Sequence, residues 1–293
     1  MVDTGRRVLH FYMPTGEQVN FCAHAAMGGI TQLPHDLEKP FTFSSAMSIS
    51  SQDDDGSDST TTTTRPRQST ATIHNDNIVS LELRESWTAC KIKQPPSLHR
   101  LLREACGVNA SSLVVPPSAA HAFPTFVNYS TARPKTLIYM NSLQALHQAR
   151  APTNAQVFQR ACDSLDTTGL YLYTPVLDND DELPHTFECR QFPRASYPED
   201  PATGIAASAL AVALQQQTTS KSRQSPASYK FHQGTAMGRP SLILVENLEF
   251  HNKGNDNDDD PQQQQEQQEV SFRLLGQVQI DSQEEIQEDC DGV

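Results

Sequence analysis

The chain has 293 residues, 37% apolar and 19% charged, with 22 Lys+Arg against 35 Asp+Glu and a formal net charge of −13. That charge is local: residues 51–70, 254–269 and 281–293 hold nearly all of it, so the remainder is close to neutral. It has no basic face to follow a phosphate backbone, which excludes nucleic acid as a partner. The most apolar run, Ile205–Leu214, is half a membrane span, so no transmembrane helix is expected.

Taken in chain order, Val8–Met13 and Glu17–Phe21 read as two short strands joined by a Pro-Thr-Gly turn. A run of small residues, Ala23-His24-Ala25-Ala26-Met27-Gly28-Gly29, suits a helix that neighbours approach closely. Phe41–Ile49, Ile73–Leu83 and Ser86–Lys93 alternate like half-buried strands, and the last two read as a hairpin. Ser97–Cys106 places Leu98, Leu101, Leu102 and Ala105 on one helical face, with Gly107 as its stop. Strands follow at Lys135–Met140 and Gly169–Thr174, with helices at Ser142–Ala149 and Asn154–Leu165 between them. Thr186–Phe192 is a further strand, and a helix opens at Gly204 through Ala206, Ala207, Ala209, Ala211 and Ala213. Tyr229–Gln233, Ser241–Val245 and Val270–Ile280 are the last strands.

The expected fold class is mixed α+β in two similar halves, residues 1–132 and 133–281, followed by an acidic tail over 282–293. Residues 51–70 and 251–269 have the composition of disordered inserts that contribute nothing to packing. Each half has a strand, a tight polar turn and a helix whose first residues are tiny. Two helix N-termini facing one cleft would offer free N–H groups to an anion, so a carboxylate-bearing ligand is expected. Six scattered cysteines (22, 90, 106, 162, 189, 290) without a Cys-x-x-Cys pair, and no apolar signal segment behind Arg6-Arg7, fit a reduced cytoplasmic protein.

The chemistry concentrates at the two helix starts. His24 titrates near neutrality and can move a proton either way; it can equally be a core or capping histidine. Cys22, two residues earlier, is either a thiolate base favoured by the helix start or a small buried hydrophobe. The second start is Glu199-Asp200-Pro201-Ala202-Thr203-Gly204. Pro201 fixes the turn, Thr203 caps the helix and Gly204 admits a close ligand, which leaves Asp200 to orient substrate or share a proton with His24. Alternatively, Glu199 and Asp200 only complement the helix dipole. No histidine has metal-ligand spacing, and there is no phosphate loop or nucleophile elbow.

Four segments, VLHFYMPTGEQVNFCAHAAMGG, LYLYTP, YPEDPATGIAASAL and FHQGTAMGRPSLILVE, resemble in order the signatures of the phenazine-biosynthesis PhzF-like family. The resemblance implies a diaminopimelate-epimerase-like fold, two halves each curled around a central helix, with the active site in the cleft between them. It implies a cofactor-independent isomerase, often homodimeric, moving a proton beside a carboxylate or conjugated system. The best-known member isomerises a dihydro-hydroxyanthranilate. Matched residue by residue, His24 and Asp200 fall on the family's catalytic histidine and aspartate, and Ala25, Thr203, Gly204 and Ile205 fall at substrate-binding positions. Ala23 stands where the family has glycine and Ile205 where it has serine. The resemblance also implies first strands and a helix upstream of Val8 that carry a glutamate general acid/base, for which this chain offers no match. The expected function is therefore isomerisation of a small carboxylate-bearing metabolite, or, if that glutamate is truly lacking, metabolite or protein binding by a catalytically silent homologue or a gene-model fragment. A cysteine-based racemase centred on Cys22 is a third possibility.

Overall fold

The computed structural model describes residues 2–3, 8–9, 11–12, 18–19, 23–31, 39–45, 48–49, 63–64, 67–92, 95–115, 123–176, 185–194, 199–219, 228–252 and 268–277. Its elements begin with β1 (Val2–Asp3), β2 (Val8–Leu9), β3 (Phe11–Tyr12), β4 (Gln18–Val19), α1 (Ala23–Ile30), β5 (Phe41–Ser45), β6 (Ser48–Ile49), β7 (Thr63–Thr64), β8 (Arg67–Ile73) and β9 (Ile78–Lys91). Next come α2 (Pro95–Cys106), β10 (Val127–Ser130), β11 (Pro134–Tyr139), α3 (Leu143–Gln148), α4 (Ala155–Ser164), β12 (Gly169–Pro175) and β13 (Thr186–Pro193). Helix α5 (Gly204–Thr219) and strands β14 (Ser228–Gln233), β15 (Ser241–Asn252) and β16 (Gln268–Gln277) follow.

Twelve strands form one sheet in the order β1-β2-β5-β8-β9-β10-β11-β12-β13-β14-β15-β16, and β16 pairs again with β9. The last eight strands therefore close into a ring. Strand β9 is shared: residues 79–82 pair with β8, residues 78–87 with β16 and residues 88–91 with β10. Helix α5 runs inside the ring. Its alanines at 206, 207, 209, 211 and 213 are all fully buried, as are Leu210 and Val212, so the helix is apolar on every side, as a helix enclosed by protein must be. Small side chains let the strands close around it, and α1 packs against it through the shared core of Ala26, Met27 and Ile30. At the C-terminal end of α5, Tyr229 and Tyr129 donate to the side-chain carbonyls of Gln215 and Gln216, at 3.0 and 2.7 Å.

Strand alternation sorts the ring into two cores. On β12, Tyr171 and Tyr173 face inward to α5, while Leu170 and Leu172 face α2, α3 and α4 outside. A strand covered on both sides has no polar face, which explains the unbroken burial of residues 169–174.

Several sequence expectations are corrected. Ile73–Leu83 and Ser86–Lys93 are not a hairpin. The hairpin joins β8 to β9 through His74–Asn77, and β9 continues straight through Glu85 and Ser86, which pair with Val270 and Glu269. Asp76 and Asn77 take left-handed φ of 62° and 57°, a conformation that short polar side chains tolerate and that tight hairpin turns require. The segment 51–70 is not wholly an insert: Arg67–Thr70 belong to β8, pair with β5, and include Ser69 at 5% exposure. Likewise His251 and Asn252 end β15, and Gln268 and Glu269 begin β16, so only 253–267 separates the two strands. Glu269 also pairs with Arg84 of β9 at 2.8 Å. Phe41–Ile49 divides into β5 and β6, and β10 is an additional strand.

Candidate active site at the start of helix α5

Asp200 sits four residues before α5, and its backbone is held on both sides. Its N–H donates to the carbonyl of Gln191 at 3.1 Å, and its carbonyl accepts from Nε2 of Gln233 at 2.6 Å. Its carboxylate closes the turn expected from Asp-Pro-Ala-Thr: Oδ1 accepts from the Ala202 N–H at 3.2 Å and Oδ2 from the Thr203 hydroxyl at 2.7 Å. Thr203 then caps the helix through its carbonyl, which accepts from the N–H groups of Ala206 and Ala207, both at 3.1 Å. The Thr203 hydroxyl additionally accepts from Gln233 Nε2 at 3.1 Å. Gly204 is buried as the first helical residue, Ile205 is 9% exposed, and the Ser208 hydroxyl donates to the Gly204 carbonyl at 2.8 Å.

Glu199 does not serve the helix dipole. It is 8% exposed and receives a two-pronged hydrogen bond from Arg190, Nε to Oε1 at 2.8 Å and Nη2 to Oε2 at 2.7 Å. The third guanidinium nitrogen, Nη1, donates to the carbonyls of Leu146, His147 and Ala149 at the end of α3, and Phe192 packs under the cation at 5.1 Å. All three guanidinium nitrogens are thus engaged, combining planar, bidentate carboxylate recognition with capping of a helix end. Arg190 thus ties β13, α3 and the residue before Asp200 into one unit.

Beneath this turn lies a buried polar cluster that sequence spacing did not reveal. Gln233 is fully buried and accepts from the Tyr171 hydroxyl at 3.3 Å. Lys135 is 7% exposed and alternates with inward-facing Leu137 and Tyr139. Burial, then the Arg133 guanidinium, lower its ammonium from the ordinary 10.5 to about 8, while Asp200 and Cys162 pull the other way. Cys189 pairs in register with Gln233. Burial pushes that thiol well up, so it is no thiolate at neutral pH. The signal available in the sequence was charge inside expected strands: Lys135 opens Lys135–Met140, and Arg190 lies between Phe187 and Phe192 in Thr186–Phe192.

On α1, His24 is the second helical residue and its side chain lies outside the described residues; Cys22 lies outside them altogether. Ala25 is the third residue of the helix and exposed. Among the described residues, no three of His, Cys, Asp and Glu gather as a metal ion would need. No helix among them is long and apolar enough to cross a membrane.

The model of the PhzC-PhzF family, described as phenazine biosynthesis-like protein, matches residues 2–263. Among solved structures, the crystal structure of a Bacillus anthracis phenazine biosynthesis protein of the PhzF family superposes with a TM-score of 0.61 at 14% identity, covering 92% of this chain and 77% of that one. No curated protein matches the chain. The fold is thus that of a PhzF-family protein, consistent with the diaminopimelate-epimerase-like architecture expected. The chain belongs to the PhzC-PhzF family of phenazine biosynthesis-like proteins.

Proposed function

We propose that the protein is a cofactor-independent isomerase that moves a proton at a carbon next to the carboxylate of a small metabolite. Membership in the family supports an isomerase-like enzyme. The observation that carries the finer reading is the fixed position of Asp200 just ahead of a helix that is buried from Gly204 to Gln215, with its backbone hydrogen-bonded on both sides. In this reading the first-turn N–H groups of α5, at Gly204 and Ile205, take substrate charge, while Asp200 and His24 handle the proton from the α5 and α1 sides. Thr203 and Ala25 line the substrate. The protein acts in the cytoplasm as a homodimer.

The test is solvent exchange. A dihydro-hydroxyanthranilate, and then a panel of cyclic and conjugated carboxylates, is incubated with the protein in D₂O and followed by ¹H NMR. Loss of a C–H signal with wild type, and its retention with His24→Ala and with Asp200→Ala, is expected. Equal exchange by the variants overturns the assignment of both residues.

One observation favours a second reading, in which the cleft binds metabolites without turning them over. Both Asp200 oxygens already close the turn ahead of α5. Under that reading Asp200→Asn, which keeps one of the two turn-closing oxygens, leaves metabolite binding unchanged; under the isomerase reading it abolishes exchange.

A further inference from the structure

Two polar side chains inside the ring lack the partners that burial demands. Gln191 is fully buried, and among the described residues neither its Nε2 nor its Oε1 meets a hydrogen-bond partner. The Lys135 ammonium, 7% exposed, makes one long hydrogen bond there, 3.4 Å to the Thr168 carbonyl. Unpaired buried polar groups are expensive, and a buried cation more so. They persist where a ligand completes them.

The two groups flank one residue. Lys135 precedes the first register pair between β11 and β12, Thr136 with Leu170, and so lies beside Gly169. Gln191 alternates with the inward-facing Phe187 and Cys189, pairs with Tyr171, and places Nε2 2.6 Å from where a side chain on Gly169 would begin. Gly169, at φ +147°, is the residue that makes this approach possible. The cluster adjoins the turn ahead of α5, because the Gln191 carbonyl accepts from the Asp200 N–H and because Tyr171 reaches Gln233, which holds both Asp200 and Thr203. The Thr203 hydroxyl is committed to Asp200, and position 205 offers only the apolar Ile205, so the first turn of α5 supplies no free side-chain donor of its own.

We propose that Lys135 and Gln191 form a carboxylate-binding subsite under the start of α5, with the ammonium and the side-chain amide donating to the two oxygens of one substrate carboxylate. This deepens the isomerase reading of the α5 cleft and rests on it. A monoanion suits the site: the Lys135 ammonium is the cation at it, with one further positive charge, Arg133, and one negative charge, Asp200, within electrostatic range of that ammonium. A carboxylate presents two acceptors in one plane to two donors, whereas a phosphate dianion would face an acidic neighbour with fewer cations than it needs.

Benzoate, with benzamide as its neutral counterpart, is the probe, titrated calorimetrically into the full-length protein. Wild type binds benzoate at millimolar concentrations and benzamide not at all. Lys135→Met weakens benzoate by about tenfold or more, the loss expected for a buried charge-assisted hydrogen bond. Gln191→Met, which removes an unpaired buried amide and keeps its volume, weakens it severalfold, and carries the test alone if Lys135→Met does not fold. Benzoate affinity unchanged in the Gln191 and Lys135 variants overturns the proposal, as does equal binding of benzamide by wild type or no benzoate binding at all. Affinity that survives Lys135→Met but is lost in Asp200→Ala removes this subsite and leaves the α5 cleft standing. Benzoate binding by wild type without any solvent exchange removes the catalytic reading and leaves the subsite.

Discussion

Asp200 closes a turn and, in the proposed function, also handles a proton, two roles that a single substitution confounds and a pair separates. As a turn acceptor ahead of α5 it is worth about 0.5–2 kcal/mol, all of which Asp200→Ala forfeits, whereas Asp200→Asn keeps the acceptor for the Ala202 N–H and gives up only the bond from the Thr203 hydroxyl. As a proton-handling group it is worth about 10²–10⁴ in rate, which both variants forfeit. Chemical denaturation beside the exchange assay reads both, and Asn restoring stability without restoring exchange is the expected result. For Glu199 the account is purely structural. Glu199→Gln leaves the Arg190 guanidinium buried with no counter-charge, a change that costs about 3–5 kcal/mol, to be read as a shifted denaturation midpoint. Lys135 makes the opposite prediction. Its folded-state ammonium loses its proton near 8 instead of 10.5, so below pH 8 both states are charged and the fold bears the full cost, about 3 kcal/mol. Between pH 8 and 10.5 the unfolded chain binds more protons, so this contribution to stability rises with pH. Lys135→Met is therefore more stable than wild type at pH 7, and the advantage shrinks on going to pH 10.5. An advantage that grows over that range contradicts the burial of the charge.

At the level of elements, local pattern was a good guide wherever one face or one run decided the outcome. The alanine-rich helix α5, the Leu98/Leu101/Leu102 face of α2 and the strands β11 to β14 and β16 follow the sequence within a few residues, while β15 runs seven residues past the expected end at Val245. The β8–β9 hairpin did not, because Ile73 to Leu83 alternates smoothly and the turn is carried by two left-handed residues, Asp76 and Asn77, inside that alternation. Nor did Arg67–Thr70, whose polar composition conceals a strand that pairs on both edges, with β5 and β9. The two insert regions therefore respond differently to deletion. Removing 254–266 leaves β15 and β16 whole and shifts the melting temperature little. Removing 67–70 takes four residues from the seven of β8 and lowers it by about 5–10 °C. Equal tolerance of both deletions by thermal melting would show that β8 does not hold the β5 edge.

Across the whole molecule, the ring closes because β16 joins β15 to β9, a contact between residues nearly two hundred apart that no local spacing announces. The same holds for the site. The turn that holds Asp200 was legible in Glu-Asp-Pro-Ala-Thr-Gly, since it is written in adjacent residues. Lys135, Tyr171, Gln191 and Gln233 come from four adjacent strands; the antiparallel pairing of β12 with β13 joins Tyr171 to Gln191, and the parallel pairings of β11 with β12 and β13 with β14 need crossovers to bring in Lys135 and Gln233. Enclosing one helix in a ring explains why its side chains are small and why the polar groups of the ring collect at its two ends. The measurement that reaches the central claim most directly is deuterium incorporation from D₂O into a dihydro-hydroxyanthranilate, compared between wild type and Asp200→Asn. The account predicts exchange by wild type and none by the variant at matched stability. Exchange at the same rate in both would contradict it and leave Asp200 as the acceptor that closes the turn ahead of α5.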